Sequence, residues 1–115
     1  MSDCLFCRIV RGEIPAAIVK RNEHALAFRD VNPQAPTHVL VIPVEHVPAV
    51  RNATDPGGEI LLGRVLAFAA SVATEVGLDQ AGYRIVTNTG KEAGQSVDHL
   101  HFHVLGGRRM KWPPG

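Results

Sequence analysis

His99-Leu100-His101-Phe102-His103-Val104-Leu105 alternates imidazole with apolar side chains from His99 to Val104. Alternate residues of a strand share a face. The stretch therefore predicts a strand over His99 to Leu105, with three imidazoles on one side and Leu100, Phe102 and Val104 entering a core on the other. A rise of about 3.3 Å per residue puts neighbouring imidazoles roughly 6.5 to 7 Å apart. At that spacing they can contact one phosphate-sized group or belong to two adjoining sites. With a pKa near ~6.5, imidazole is a competent nucleophile and general acid or base at neutral pH, and it leaves phosphorus readily. A plain three-histidine metal site is the alternative reading of the same pattern.

Upstream, Tyr83-Arg84-Ile85-Val86-Thr87 reads as a strand, joined to the histidine strand by the Gly-containing loop Asn88 to Ser96. Before it, Leu61, Leu62, Val65, Leu66, Ala69, Val72, Ala73 and Val76 recur every three or four residues. They form the stripe of a long helix that starts near Glu59 and stops at Gly77. Pro43 to Pro56 is irregular, with Pro48 and the turn Asp55-Pro56-Gly57-Gly58 bounding a short helix at most. Val39-Leu40-Val41-Ile42 is continuously apolar, as expected of a strand covered on both faces. Thr37-His38 is delivered into it by Asn32-Pro33-Gln34-Ala35-Pro36, where two prolines remove backbone donors. Ile18-Val19-Lys20 and Ala25-Leu26-Ala27-Phe28 flank Arg21-Asn22-Glu23 as a hairpin, and Leu5, Phe6, Ile9 and Val10 mark a short helix ending at Gly12. The tail Gly106 to Gly115, with Trp112-Pro113-Pro114, is too proline-rich to be regular. This order predicts an α+β domain: a mainly antiparallel five-stranded sheet with one long and one short helix packed to one side.

The chain has 115 residues, 45 % hydrophobic and 20 % charged, which fits a single globular domain over residues 1–115 with no internal repeat. Apolar residues never run to the roughly 18 to 20 that a membrane span needs. Met1-Ser2-Asp3-Cys4 also lacks a basic then apolar leader, so a soluble, cytoplasmic protein is expected. A net charge of +1 leaves no electrostatic footprint for nucleic acid or an anionic membrane surface. A small-molecule or protein partner is expected instead. A chain of this size buries only about two thirds of its unfolded surface, so pairing with a second copy would help it.

Cys4-Leu5-Phe6-Cys7 is a C-x-x-C pair. In a reducing compartment a structural disulfide is disfavoured, which leaves a metal half-site, a redox motif or two buried thiols. A thioredoxin-like reading wants a following βαβ unit, which is absent. A zinc reading needs two further ligands, for which His46 and His99 are the candidates.

Taken together, these stretches resemble the histidine triad (HIT) family, whose pattern of His, apolar, His, apolar, His, apolar, apolar residues 99 to 105 meet in full. The chain is similar in particular to its nucleoside phosphoramidase branch. The similarity runs through Glu13-Ile14-Pro15-Ala16, Asp30, Asn32 to His38, Leu40-Val41-Ile42-Pro43, Gly94-Gln95-Ser96-Val97, His103 to Arg108 and the closing Trp112-Pro113-Pro114-Gly115.

The resemblance implies that His101 attacks the α-phosphorus of a purine nucleoside 5′-phosphoramidate, an AMP or GMP conjugate. It implies a covalent nucleotidyl-histidine that water then hydrolyses. His103 and His38 would flank the nucleophile, and Gly94, Gln95, Ser96 and Val97 would form the loop facing phosphate or the leaving amine, with Ser96 as a catalytic donor. Asn88 resembles the family's active-site asparagine. Asp30 would receive the ribose hydroxyls, and Phe6, Ile9, Phe28 and Val31 the base. The family's homodimer is built on the long helix and adjoining strand, and brings Trp112 toward the partner's active site. In bacterial members and related uridylyltransferases, residues matching Cys4, Cys7, His46 and His99 bind a structural zinc, and the chemistry does not require it. Without the resemblance, Asp30 reads equally well as the start of the Asn32-Pro33 turn, and Ser96 or Asn88 as polar groups that satisfy a loop. Two enzymatic or binding alternatives share the same residues: cleavage of dinucleoside polyphosphates, and nucleotide sensing with incidental hydrolysis. Carriage of several metal ions by a His/Cys-rich module is a third.

Overall fold

The computed structural model describes residues 4–115. Its elements are α1 (Leu5–Val10), β1 (Ile18–Arg21), β2 (Ala25–Arg29), β3 (Thr37–Pro43), α2 (Pro56–Glu75), β4 (Tyr83–Val86) and β5 (Phe102–Gly106). Single 3-10 turns lie at Val50–Asn52 and Lys91–Ala93. The five strands form one sheet in the order β1-β2-β3-β5-β4, every neighbouring pair antiparallel.

The sheet has two covered faces. Ala25, Ala27, Val39, Val41, Phe102 and Val104 pack under Val65, Phe68, Ala69, Val72 and Ala73 of α2. On the opposite face Leu26, Phe28, Leu40 and Ile42 pack against Phe6 and Ile9 of α1. The helices thus lie on opposite sides of the sheet, where the sequence places both on one. Six apolar residues of α1 and its flanks suffice to cover the α1 face around β2 and β3, and they leave the β5 end of that face to the histidines.

Helix α2 begins three residues before its expected start. Asp55 caps it by accepting from Gly58 N at 2.7 Å, and Pro56 sits where its missing N–H costs nothing. Gly58 belongs to the first turn because a Cβ there would lie 2.3 Å from the Ala53 carbonyl carbon. The 20-residue α2 is, by length and composition, long and apolar enough to cross a bilayer, contrary to the sequence expectation. Its stripe is spent on the sheet.

The last strand also differs, since the β5 ladder starts at Phe102 and leaves His99, Leu100 and His101 outside it. Their backbone is satisfied elsewhere: Leu100 N donates to Val47 O at 2.6 Å, and Thr87 Oγ1 donates to His101 O at 2.8 Å. The alternation nonetheless survives, with Leu100, Phe102 and Val104 all in the α2 core.

Candidate functional site

His38 and His103 meet because of register. In the antiparallel pair β3/β5, His38 lies opposite Leu105 and Leu40 opposite His103. His38 and His103 are therefore diagonal neighbours on the α1 face, within reach of long side chains. The hydrogen bonds between them and their surroundings define every proton. Gln34 N donates to His38 Nδ1 at 3.0 Å, so His38 carries its hydrogen on Nε2. That Nε2–H donates to His103 Nδ1 at 2.9 Å, which leaves His103 with a free Nε2–H donor. His101 Nδ1–H donates to His99 O at 2.7 Å, so its Nε2 bears an unshared lone pair. The His101 and His103 ring centroids are 5.1 Å apart, and the Phe6 ring meets His101 edge-on at 5.1 Å.

Burial disfavours the charged forms of His38 and His103. It pushes His103 down to about 4, with the neighbouring His101 and His38 rings adding to the effect. Burial likewise lowers His38, against the opposing pull of Asp30, whose Oδ2 lies 3.4 Å from His38 Nε2. The other Asp30 oxygen accepts from Asn32 N at 2.8 Å. Asp30 thus starts the Asn32-Pro33 turn and still keeps one oxygen facing the site.

Asp30 stands at the rim of an apolar cleft of about 240 Å³ lined by Leu5, Phe6, Ile9, Phe28, Val31 and Leu40, among others. All four residues expected against a base, Phe6, Ile9, Phe28 and Val31, are brought together here. Ser96 and Val97 line a second cleft of about 440 Å³ with Cys4, Leu5, His46 and Asp98. Gln95, expected to face phosphate, is engaged with the backbone at both ends of its amide. Oε1 accepts from Gly90 N at 2.8 Å, and Nε2 donates to Pro48 O at 2.8 Å and Val97 O at 3.0 Å. It organises the loop that presents Ser96, and Gly94 turns that loop at φ +83°. Asn88 lies half-buried just past β4. Trp112 is 81 % exposed and lines neither cleft; the tail is tied beside β4 by Arg84 Nη2 donating to Lys111 O at 3.0 Å.

The remaining ligand candidates converge on the other side of His101. One donor atom each from Cys4, Cys7, His46 and His99 lie within 4.8 Å of one another. Cys4 Sγ is 3.3 Å from His99 Nδ1, Cys7 Sγ is 3.2 Å from His46 Nδ1 and 3.5 Å from His99 Nδ1, and the two Nδ1 atoms are 3.2 Å apart. A tetrahedral ion with bonds of about 2.0 to 2.3 Å spaces its ligand atoms about 3.3 to 3.8 Å apart, close to these four separations, so the cluster could hold one. His99 is prepared for that role: its Nε2–H donates to Pro43 O at 2.9 Å, turning the Nδ1 lone pair to the thiols, and burial pushes its pKa down to about 4. Burial, and then Cys4, raise the Cys7 thiol, which only a cation would bring to thiolate.

Residues 11–110 match the family model described as HIT domain. The chain belongs to the HIT family. A HIT family hydrolase from Legionella pneumophila has a structure similar to this chain, with TM-score 0.93 and 48% identity, covering 98% of this chain and 100% of that one. A histidine triad nucleotide-binding protein from Candida albicans matches with TM-score 0.82 and 31% identity over 96% of this chain and 83% of that one. A protein of Zea mays named 14 kDa zinc-binding protein is 47% identical over 116 residues, 99% of this chain and 89% of its own length. Within this HIT chain, sequence reasoning missed Thr87, Gln34, Pro43 and Arg108, which act through backbone groups. The one signal was Gln34, flanked by Pro33 and by Ala35-Pro36 and so among the few N–H donors in its loop.

Proposed function

We propose that this chain is a nucleotide hydrolase that cleaves the P–N bond of purine nucleoside 5′-phosphoramidates through a nucleotidyl group on His101. The observation that carries the reading is the His101 Nδ1–H bond to His99 O, which leaves Nε2 as a free lone pair beside the His103 donor. In this reading Nε2 attacks the α-phosphorus in line with the leaving amine. The P–N bond to the amine breaks as the bond to His101 forms, and the amine departs with a proton drawn from solvent, which the later attack of water returns. Water then cleaves the histidine–phosphorus bond and releases the nucleoside monophosphate.

His103, backed by His38, donates to a nonbridging oxygen, and Ser96 serves the leaving amine from the second cleft. Asp30 takes the ribose hydroxyls with its site-facing oxygen, and the base lies against Phe6, Ile9, Phe28 and Val31. Asn88, Gly94, Gln95 and Val97 shape the phosphate loop. The names of the Legionella and Candida proteins support the reaction and ligand class. The ligand spacing and the name of the maize relative support a structural zinc on Cys4, Cys7, His46 and His99. A homodimer would cover Ile60 and Leu66 of α2, which are 57% and 46% exposed, and bring the partner's tail with Trp112 to the site.

Mass spectrometry during turnover of adenosine 5′-phosphoramidate tests this. A single nucleotidyl adduct on the His101 peptide is expected, absent together with turnover in His101→Ala. Wild-type turnover by His101→Ala sinks the assignment, AMP binding without any adduct makes the chain a sensor, and faster cleavage of a dinucleoside polyphosphate moves the substrate class.

A further inference from the structure

We infer that Arg108, exposed just past the end of β5, is a positioning residue that fixes the protonated nitrogens of His38 and His103 from outside the site. The hydrogen-bond direction of the His38–His103 pair is set at the Nδ1 end of His38 by one backbone amide, Gln34 N, which donates to it at 3.0 Å, with Asp30 Oδ2 3.4 Å from Nε2 at the other end. Without that donor, His38 is free to move its hydrogen to Nδ1. Its Nε2 would then accept from His103 Nδ1, and His103 would present a lone pair where the site has a donor. A phosphate oxygen needs the donor.

The loop that holds this amide is closed at its ends by Asp30 N on His38 O and turned by Asn32 N on Asp30 Oδ1, but few bonds of its own fix it at Gln34. Pro33 and Pro36 contribute no N–H, and the Gln34 side chain reaches only Asn32 O, at 3.0 Å. The Gln34 carbonyl is gripped from β5: Arg108 Nη2 donates to it at 3.1 Å and Nε at 3.3 Å. The third arm of the guanidinium, Nη1, donates to Arg109 O at 3.2 Å and sets the plane of the fork. Gly107 makes the approach possible. Its φ is +92°, and a Cβ there would lie 2.9 Å from Pro36 Cβ, so only glycine lets the end of β5 run against the loop.

An exposed arginine capping a loop carbonyl would be unremarkable if the charge had another purpose. Here Arg108 forms no ion pair among the described residues, and all three guanidinium nitrogens are spent on carbonyls. Two of those bonds fall on the residue whose amide orients His38. The fork is the feature that matters, because a lysine can place only a single point donor there.

The test combines a spectroscopic readout with kinetics in full-length Arg108→Met and Arg108→Lys. Long-range nitrogen–proton spectra of the imidazoles read which ring nitrogen of His38 and His103 is protonated, whatever the enzyme acts on. Wild type is expected to show His38 and His103 each protonated at Nε2. Arg108→Met is expected to show averaged nitrogen shifts for both rings, with kcat on adenosine 5′-phosphoramidate down on the order of tenfold and KM within about twofold. Arg108→Lys should recover part of both changes. Unchanged His38 and His103 shifts in a folded Arg108→Met overturn the inference, as does a change confined to KM. The kinetic arm rests on the proposed phosphoramidase reading. If wild type itself turns nothing over, that reading fails while the spectra still decide the role of Arg108.

Discussion

Acidification should destabilise this fold through His103, by an amount the structure sets. Its folded pKa is held at about 4 against 6.5 for the ordinary imidazole, chiefly by burial. The unfolded chain therefore takes up a proton that the native site refuses across the window from 6.5 down to about 4. Because the folded value lies below the unfolded one, the stabilisation is complete above pH 6.5 and is lost progressively as pH falls toward 4. The gap between 6.5 and about 4, at about 1.36 kcal/mol for each tenfold in proton affinity, is worth about 3 kcal/mol. That is a substantial share of the roughly 5 to 15 kcal/mol of a typical domain.

Urea unfolding of wild type and His103→Gln at pH 7.5, 6.0, 5.0 and 4.5 reads the effect, since titrating groups away from His38 and His101 are common to both. Wild type should lose most of about 3 kcal/mol more than the variant over this range. Parallel loss in the two proteins, or a His103 titration at 6.5 or above by NMR, would refute the reasoning. Bound AMP should raise the His103 pKa, because a phosphate beside the ring favours the cation.

Three further outcomes follow from contacts already described. Thr87→Val removes the 2.8 Å donor to His101 O, and should cost about 1 to 3 kcal/mol in urea unfolding and lower kcat; unchanged values would show that water replaces it. Gly58→Ala drives a Cβ into the backbone of Ala53 and should cost at least about 2 to 3 kcal/mol, read as a drop in Tm that a surface alanine elsewhere on α2 does not produce. Metal analysis should find one zinc per chain, lost in Cys7→Ser, with a lower Tm for wild type after chelation; the same Tm with and without zinc would exclude a structural ion.

Much of this was legible in the sequence for a clear physical reason. Periods of two and three to four residues report burial, and burial is what β3 and α2 have in abundance. Val39 to Ile42 lies wholly buried, and Val65, Ala69, Val72 and Ala73 pack on the sheet as their spacing predicts. The start of β5 was not legible, because His99 to His101 keep the alternation of a strand while bonding to Val47 and Thr87 instead of a ladder. The start of α2 was misread since Gly57-Gly58 signals a turn by composition, whereas the close pass of Ala53 requires glycine inside a helix. Gln95 was assigned to phosphate because side-chain type does not say which backbone groups will need it. The triad and C-x-x-C residues stood out through rarity and spacing. Gln34 and Pro43 act through their own main-chain atoms and Arg108 grips a main-chain carbonyl, and a sequence does not display those.

Strand β3 carries a demand that neither of its ends reveals alone. Over about 17 Å it places His38 at one end, against His103, and the Pro43 carbonyl at the other, against His99. A slip of one residue against β5 would turn His38 into the α2 core and swing the Pro43 carbonyl away from His99 together. The strand behaves as a fixed-length gauge block between two workpieces. Its interior can exchange one apolar side chain for another, but a single insertion or deletion within Thr37–Pro43 would disable both centres at once. Length changes should therefore be tolerated better in the β1–β2 turn than anywhere along β3.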